Sequence, residues 1–168
     1  IDIELRPTPQ SQAFKPEVMT LDVVFEDEFL LVINKPAGLV VHPAPGNWSG
    51  TLLNGLLARD PGAALLPRAG IVHRLDKDTS GLMVVARKRP VMDELVRMIA
   101  ARSVNRQYIA VAHGAWAGPA TRQVNLPVGR DPRNRLRMAV VDMERNPGKV
   151  ASTDIALLQG NADYSMVR

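Results

Sequence analysis

The sequence predicts an α+β fold in which strands outnumber helices, and three observations carry that prediction. Short runs rich in β-branched and apolar residues recur at 21–25, 30–33, 82–86, 107–112, 138–141 and 151–158, each bounded by polar, Gly or Pro residues. Only two stretches, 52–57 and 90–101, carry an apolar repeat of helical period. The first two runs are joined by Glu26-Asp27-Glu28, a polar turn, so they read as an antiparallel hairpin.

Taken in order, residues 1–20 hold Pro7, Pro9 and Pro16 among polar residues without a period, and are expected to be an arm or interdomain linker. After the hairpin, Pro36 and Gly38 force a break, and Val40-Val41-His42 leads into a Pro/Gly-rich loop through Gly50. Lys35, just before the break, reads as an exposed strand-end lysine, with phosphate contact as the sharper alternative. Ser49 or Thr51 is placed to cap a helix that presents Leu52, Leu53, Leu56 and Leu57 on one face and ends at Asp60-Pro61-Gly62. Residues 82–86 read as a buried strand. Pro90 suits the first turn of the second helix, with Leu95, Met98 and Ile99 inward. The 107–112 strand carries Tyr108, and 125–137 reads as a loop rich in Pro, Gly and Arg. A Pro147-Gly148 turn precedes the 151–158 strand. The chain closes on Tyr164-Ser165-Met166-Val167-Arg168, which alternates like a strand just beginning, so a C-terminally incomplete domain with an unpaired last strand is expected.

Composition narrows the function. Cysteine is absent, which removes disulfide frameworks and thiolate metal sites. No apolar run approaches the ~20 residues that span a bilayer, so a soluble, cytoplasmic protein without membrane contact is expected. The net charge of +4 is modest, yet basic residues cluster at Arg87-Lys88-Arg89, at Arg102 and Arg106, and from Arg130 to Arg137, which favours a polyanionic partner. The three histidines, His42, His73 and His113, have no ligand spacing and read as hydrogen-bonded structural residues, with no zinc site.

The densest chemistry lies in Gly70-Ile71-Val72-His73-Arg74-Leu75-Asp76-Lys77-Asp78-Thr79-Ser80-Gly81, between two apolar runs. A calcium loop fits Asp76, Asp78, Ser80 and Gly81, but the closing position is Arg87, a cation, where a bidentate Glu is required. A magnesium phosphatase of the Asp-x-Asp-x-Thr kind fits the spacing of Asp76 and Asp78, but His73 and Arg74 interrupt the strand that should precede it.

His73-Arg74-Leu75-Asp76-x-x-Thr79-Ser80-Gly81 resembles the signature of the RluA-type pseudouridine synthases. Lys35-Pro36-Ala37-Gly38-Leu39-Val40-Val41-His42-Pro43 is similar to that family's upstream motif, and Arg106-Gln107-Tyr108-Ile109-Ala110-Val111 to its downstream Tyr motif. The three occur in family order, and the likeness is greatest to the RluD branch, which acts on large-subunit ribosomal RNA. The resemblance implies a mixed, mainly antiparallel sheet with flanking helices, in a catalytic domain over 21–168 that lacks the family's third motif. It implies Asp76 as the catalytic residue and Tyr108 as the ring packed on the target base. Arg74 would fill the space that the extruded nucleotide leaves in the helix. No cofactor is expected, and the partner would be a stem-loop of large-subunit ribosomal RNA bound by a monomer. A fragment without the third motif is expected to be inactive.

The chemistry agrees with the residues. Making pseudouridine breaks the N1–C1′ bond, turns the base and joins C5 to C1′, with no redox step and no nucleotide. It needs a carboxylate, ionised and poorly hydrated, beside sugar and base. If 72–76 is extended, Arg74 falls on the same side as Asp76. Asp78 is expected to cap the amides of Thr79-Ser80-Gly81. A non-catalytic RNA-binding module is the alternative from another class.

Overall fold

The structure, a computed structural model, describes residues 8–168; the first part of the expected arm, 1–7, lies outside them. The chain divides into two compact units, Ile1–Val104 and Asn105–Arg168.

In the first unit, β1 (Val23–Glu26) and β2 (Leu30–Lys35) form the expected hairpin. Its turn is fixed by Asp27, whose carboxylate accepts from the amides of Phe29 and Leu30 at 2.8 and 2.7 Å. β3 (Gly81–Ala86) pairs antiparallel with β2 in unbroken register from Leu30–Ala86 to Lys35–Gly81. The sheet order is β1-β2-β3, so β3 is an edge strand. Side chains alternate between the two faces of the sheet: Met83 and Val85 are buried while Leu82 is 61% exposed, where the sequence suggested burial throughout.

The helix α1 (Leu52–Arg59) starts at Thr51, whose amide donates to the Asn54 carboxamide at 3.0 Å. Asn54 in turn donates to the Ala13 and Lys15 carbonyls, and the Gly50 amide donates to Glu17. Residues 13–17 thus lie along α1, and Ala13 is buried. Leu31, Ile33, Val41, Leu52, Leu53, Leu56, Ala69, Ile71, Leu75, Met83 and Val85 make one core between sheet and helix. A smaller cluster of Leu66, Ala86 and Met92 seats α2 (Arg89–Ala100), with Leu95 packed against it.

The second unit is built almost wholly of strands: β4 (Ala110–His113), β5 (Thr121–Asn125), β6 (Val128–Arg130), β7 (Met138–Val140), β8 (Gly148–Lys149), β9 (Ser152–Gly160) and β10 (Tyr164–Val167). They form a sheet of order β4-β10-β9-β5 and a smaller one of order β7-β6-β8, every pairing antiparallel. Four expectations change here. β10 is not an unpaired edge but an inner strand, flanked by β4 and β9. The 125–137 stretch contains β6, and the Pro147-Gly148 turn runs into β8; strands this short show no readable period. β4 begins at Ala110, so Tyr108 sits just before the strand rather than within it.

Candidate active site

Leu75 and Ile71, both buried in the first unit's core, anchor the segment that carries His73, Arg74 and Asp76. Ile71 also bridges Val85 of β3. His73 pins the middle: its Nε2 accepts the Val84 amide at 3.0 Å, which puts the neutral ring's proton on Nδ1 and makes the histidine structural, as expected. With alternate residues fixed inward, Arg74 and Asp76 face out on one side. Their guanidinium and carboxylate stand 3.8 Å apart, with side chains 69% and 87% exposed. The expected pairing on one face is present. The poor hydration expected of Asp76 is not, because the carboxylate stands at the tip of the loop. The loop reverses at Asp76–Thr79, closed by the Thr79 amide on the Asp76 carbonyl at 3.1 Å. That bond takes the role expected of Asp78, whose carboxylate makes no hydrogen bond among the described residues.

Lys35 is where the sequence reading fails most usefully. It is neither exposed nor set toward a phosphate, but 1% exposed. Its Nζ donates to the carbonyls of Pro36, Leu39 and Lys77 at 2.8, 2.9 and 3.0 Å. The Gly38 amide adds a bond to the Lys77 carbonyl at 2.8 Å. The 36–39 loop and the Asp76 loop are thereby tied through one buried ammonium. Burial lowers the Lys35 pKa, while Asp78 and then Asp76 pull it back up. The signal that could have located it is the Lys-Pro-x-Gly run, in which a long donor precedes a turn with carbonyls to satisfy.

His42 lies half-buried beyond that loop, its pKa lowered first by burial and then by Arg68 and Arg74. Of the basic clusters, Arg87 is engaged in structure: it pairs with Glu26 and Asp60 at 3.2 Å each and donates to the Asp27 carbonyl. Arg89 pairs with Asp93 one helical turn on. Arg130, Arg133, Arg135 and Arg137 surround the β6–β7 turn and are exposed.

Tyr108 belongs to the second unit and is 48% exposed, which leaves part of its ring open. It lines an open trough within that unit together with Arg106, Thr121, Gln123, Ser152 and Asp154.

Residues 29–168, which include the loop carrying Arg74 beside Asp76, match the RNA pseudouridylate synthase family model. The chain belongs to that family. Among its relatives, "Ribosomal large subunit pseudouridine synthase D" of Neisseria meningitidis serogroup B is 52% identical over 167 residues, 99% of this chain and 43% of that protein. The protein of the same name from Escherichia coli O6:H1 is 49% identical over 146 residues, 87% of this chain and 43% of its own length. The chain therefore spans less than half the length of these relatives. A solved structure titled "Human RNA Pseudouridylate Synthase Domain Containing 4" superposes with a TM-score of 0.63 at 25% identity, over 87% of this chain and 57% of that one.

Proposed function

We propose that this chain carries the catalytic centre of a synthase that converts uridines of large-subunit ribosomal RNA to pseudouridine, with Asp76 as the catalytic residue. The observation that carries the reading is the solvent-facing Arg74–Asp76 pair on a loop fixed at Leu75, His73 and Lys35. A carboxylate open to water is weak chemistry until it is covered, so the entering nucleotide itself would dehydrate Asp76. A stacked uridine must first be extruded, at a cost of a few kcal/mol. Arg74 is exposed and planar enough to occupy the vacated stack and meet phosphate. Tyr108 would supply a ring face for the flipped base. The relatives' names support ribosomal RNA as substrate. A stem-loop bound by a monomer in the cytoplasm completes the reading; among the described residues no helix is long and apolar enough to cross a membrane.

The test is Asp76→Asn in the full gene product, assayed by tritium release from ribosomal RNA transcript labelled at uridine C5. Turnover should fall on the order of 10³-fold or more, while RNA affinity stays near that of the unmodified enzyme. Sustained tritium release by this variant would remove Asp76 from the mechanism.

A further inference from the structure

Lys77 follows the candidate catalytic carboxylate directly and stands with Asp78 at the corner of the turn that the Thr79 amide closes on the Asp76 carbonyl. Its main chain is held from two sides: the Lys77 carbonyl accepts from the Lys35 ammonium at 3.0 Å and from the Gly38 amide at 2.8 Å. Its side chain serves no such purpose. It is exposed, and its ammonium makes no hydrogen bond or ion pair among the described residues. Folding back under the turn is opposed, because the Lys35 ammonium already lies there, 1% exposed and bonded to three carbonyls. The root of the Lys77 side chain is therefore fixed while its charge is left in solvent.

What that charge meets follows from its neighbour. Consecutive Cα atoms are about 3.8 Å apart, and the Asp76 side chain is 87% exposed. A nucleoside whose C1′ reaches the Asp76 carboxylate brings with it the phosphates joined to its ribose through C3′ and C5′. Flipping turns the nucleotide about its backbone, so those phosphates stay with the strand at the mouth of the loop. Arg74 already faces the Asp76 carboxylate at 3.8 Å. Lys77 carries the unpaired cation, a compact ammonium on a flexible stem with three donors. Asp78, the other corner residue, is exposed as well and repels phosphate, so the contact has to form at the end of the Lys77 stem, away from the turn. We infer that Lys77 binds a phosphodiester next to the extruded uridine and so sets the register of the strand against Asp76. This rests on the RNA reading given above.

The experiment uses the full gene product and a ribosomal RNA stem-loop containing a uridine that the parent modifies. In Lys77→Ala the thermal midpoint should hold, since the side chain is exposed and unpaired among the described residues. KM should rise roughly tenfold at about 0.1 M salt, with kcat within about twofold of the parent. The slope of log affinity against log salt should become shallower by about one, as for the loss of one phosphate contact. A loop merely loosened by the substitution would lower kcat instead, since Asp76 sits in it. Lys77→Arg should restore KM, and Lys77→Gln, which keeps the stem without the charge, should not. The most specific arm replaces the phosphodiester on the 5′ or the 3′ side of that uridine by an uncharged methylphosphonate. One of the two replacements should raise KM roughly tenfold for the parent and less than about twofold for Lys77→Ala. Equal responses of parent and variant to both replacements, or an unchanged KM in Lys77→Ala, overturn the proposal. Failure of the RNA reading looks different, because the parent itself would then modify no uridine, and the proposal would fall with it.

Discussion

Lys35 shows how one side chain can hold two loops. Its buried ammonium donates to three carbonyls, and Asp78 and Asp76 act on its charge. Replacing it by Met keeps the volume of the stem but leaves those oxygens against a methyl group. We expect Lys35→Met to lose about 3 kcal/mol in denaturant unfolding, and to lose activity beyond what that explains, because only the Gly38 amide then ties the Asp76 loop to 36–39. An unfolding midpoint equal to that of the parent would show that the ammonium contributes nothing. His42 gives a pH prediction. Its folded pKa is lowered, so as pH falls below about 6.5 the unfolded chain takes up the proton first and unfolding gains. Stability should therefore decline from about pH 6.5 downward by an amount that His42→Gln abolishes. Parallel pH–stability curves for the two proteins would contradict this.

At the scale of the element, the legible part of the sequence is the local part. Apolar, β-branched runs bounded by turn residues placed β1, β2 and β9, the Ser49 or Thr51 cap and the Asp60-Pro61 break placed α1, and Pro90 placed the start of α2. Alternation along an extended 72–76 segment put Arg74 and Asp76 on one face, because Leu75 between them is pulled into the core. What was not legible depends on partners distant in sequence. Lys35 is buried by a carbonyl 42 residues away, and β10 becomes an inner strand only through β4 and β9. β6 and β8, three and two residues long, have no period to read. The Gly70 turn belongs here too, since its need for glycine comes from β3 lying against it. Gly70→Ala should cost roughly 3 kcal/mol from positive φ and overlap with the Ala86 carbonyl together, read by chemical denaturation. Stability within experimental error of the parent would mean that β3 and the turn can part freely.

At the scale of the molecule, Arg74 and Asp76 lie in the first compact unit and Tyr108 in the second. The division also sorts the positive charge. Arg87 and Arg89 serve the first unit's own ion pairs, whereas Arg74 lies open on the loop and the β6–β7 arginines lie open in the second unit. The proposed reaction is read most directly by carbodiimide treatment and primer extension on unmodified large-subunit ribosomal RNA transcript, incubated with the full gene product as parent or with its Asp76→Asn variant. Reverse-transcription stops at discrete uridines with the parent and none with the variant is the predicted result; the same stops with both proteins would contradict it.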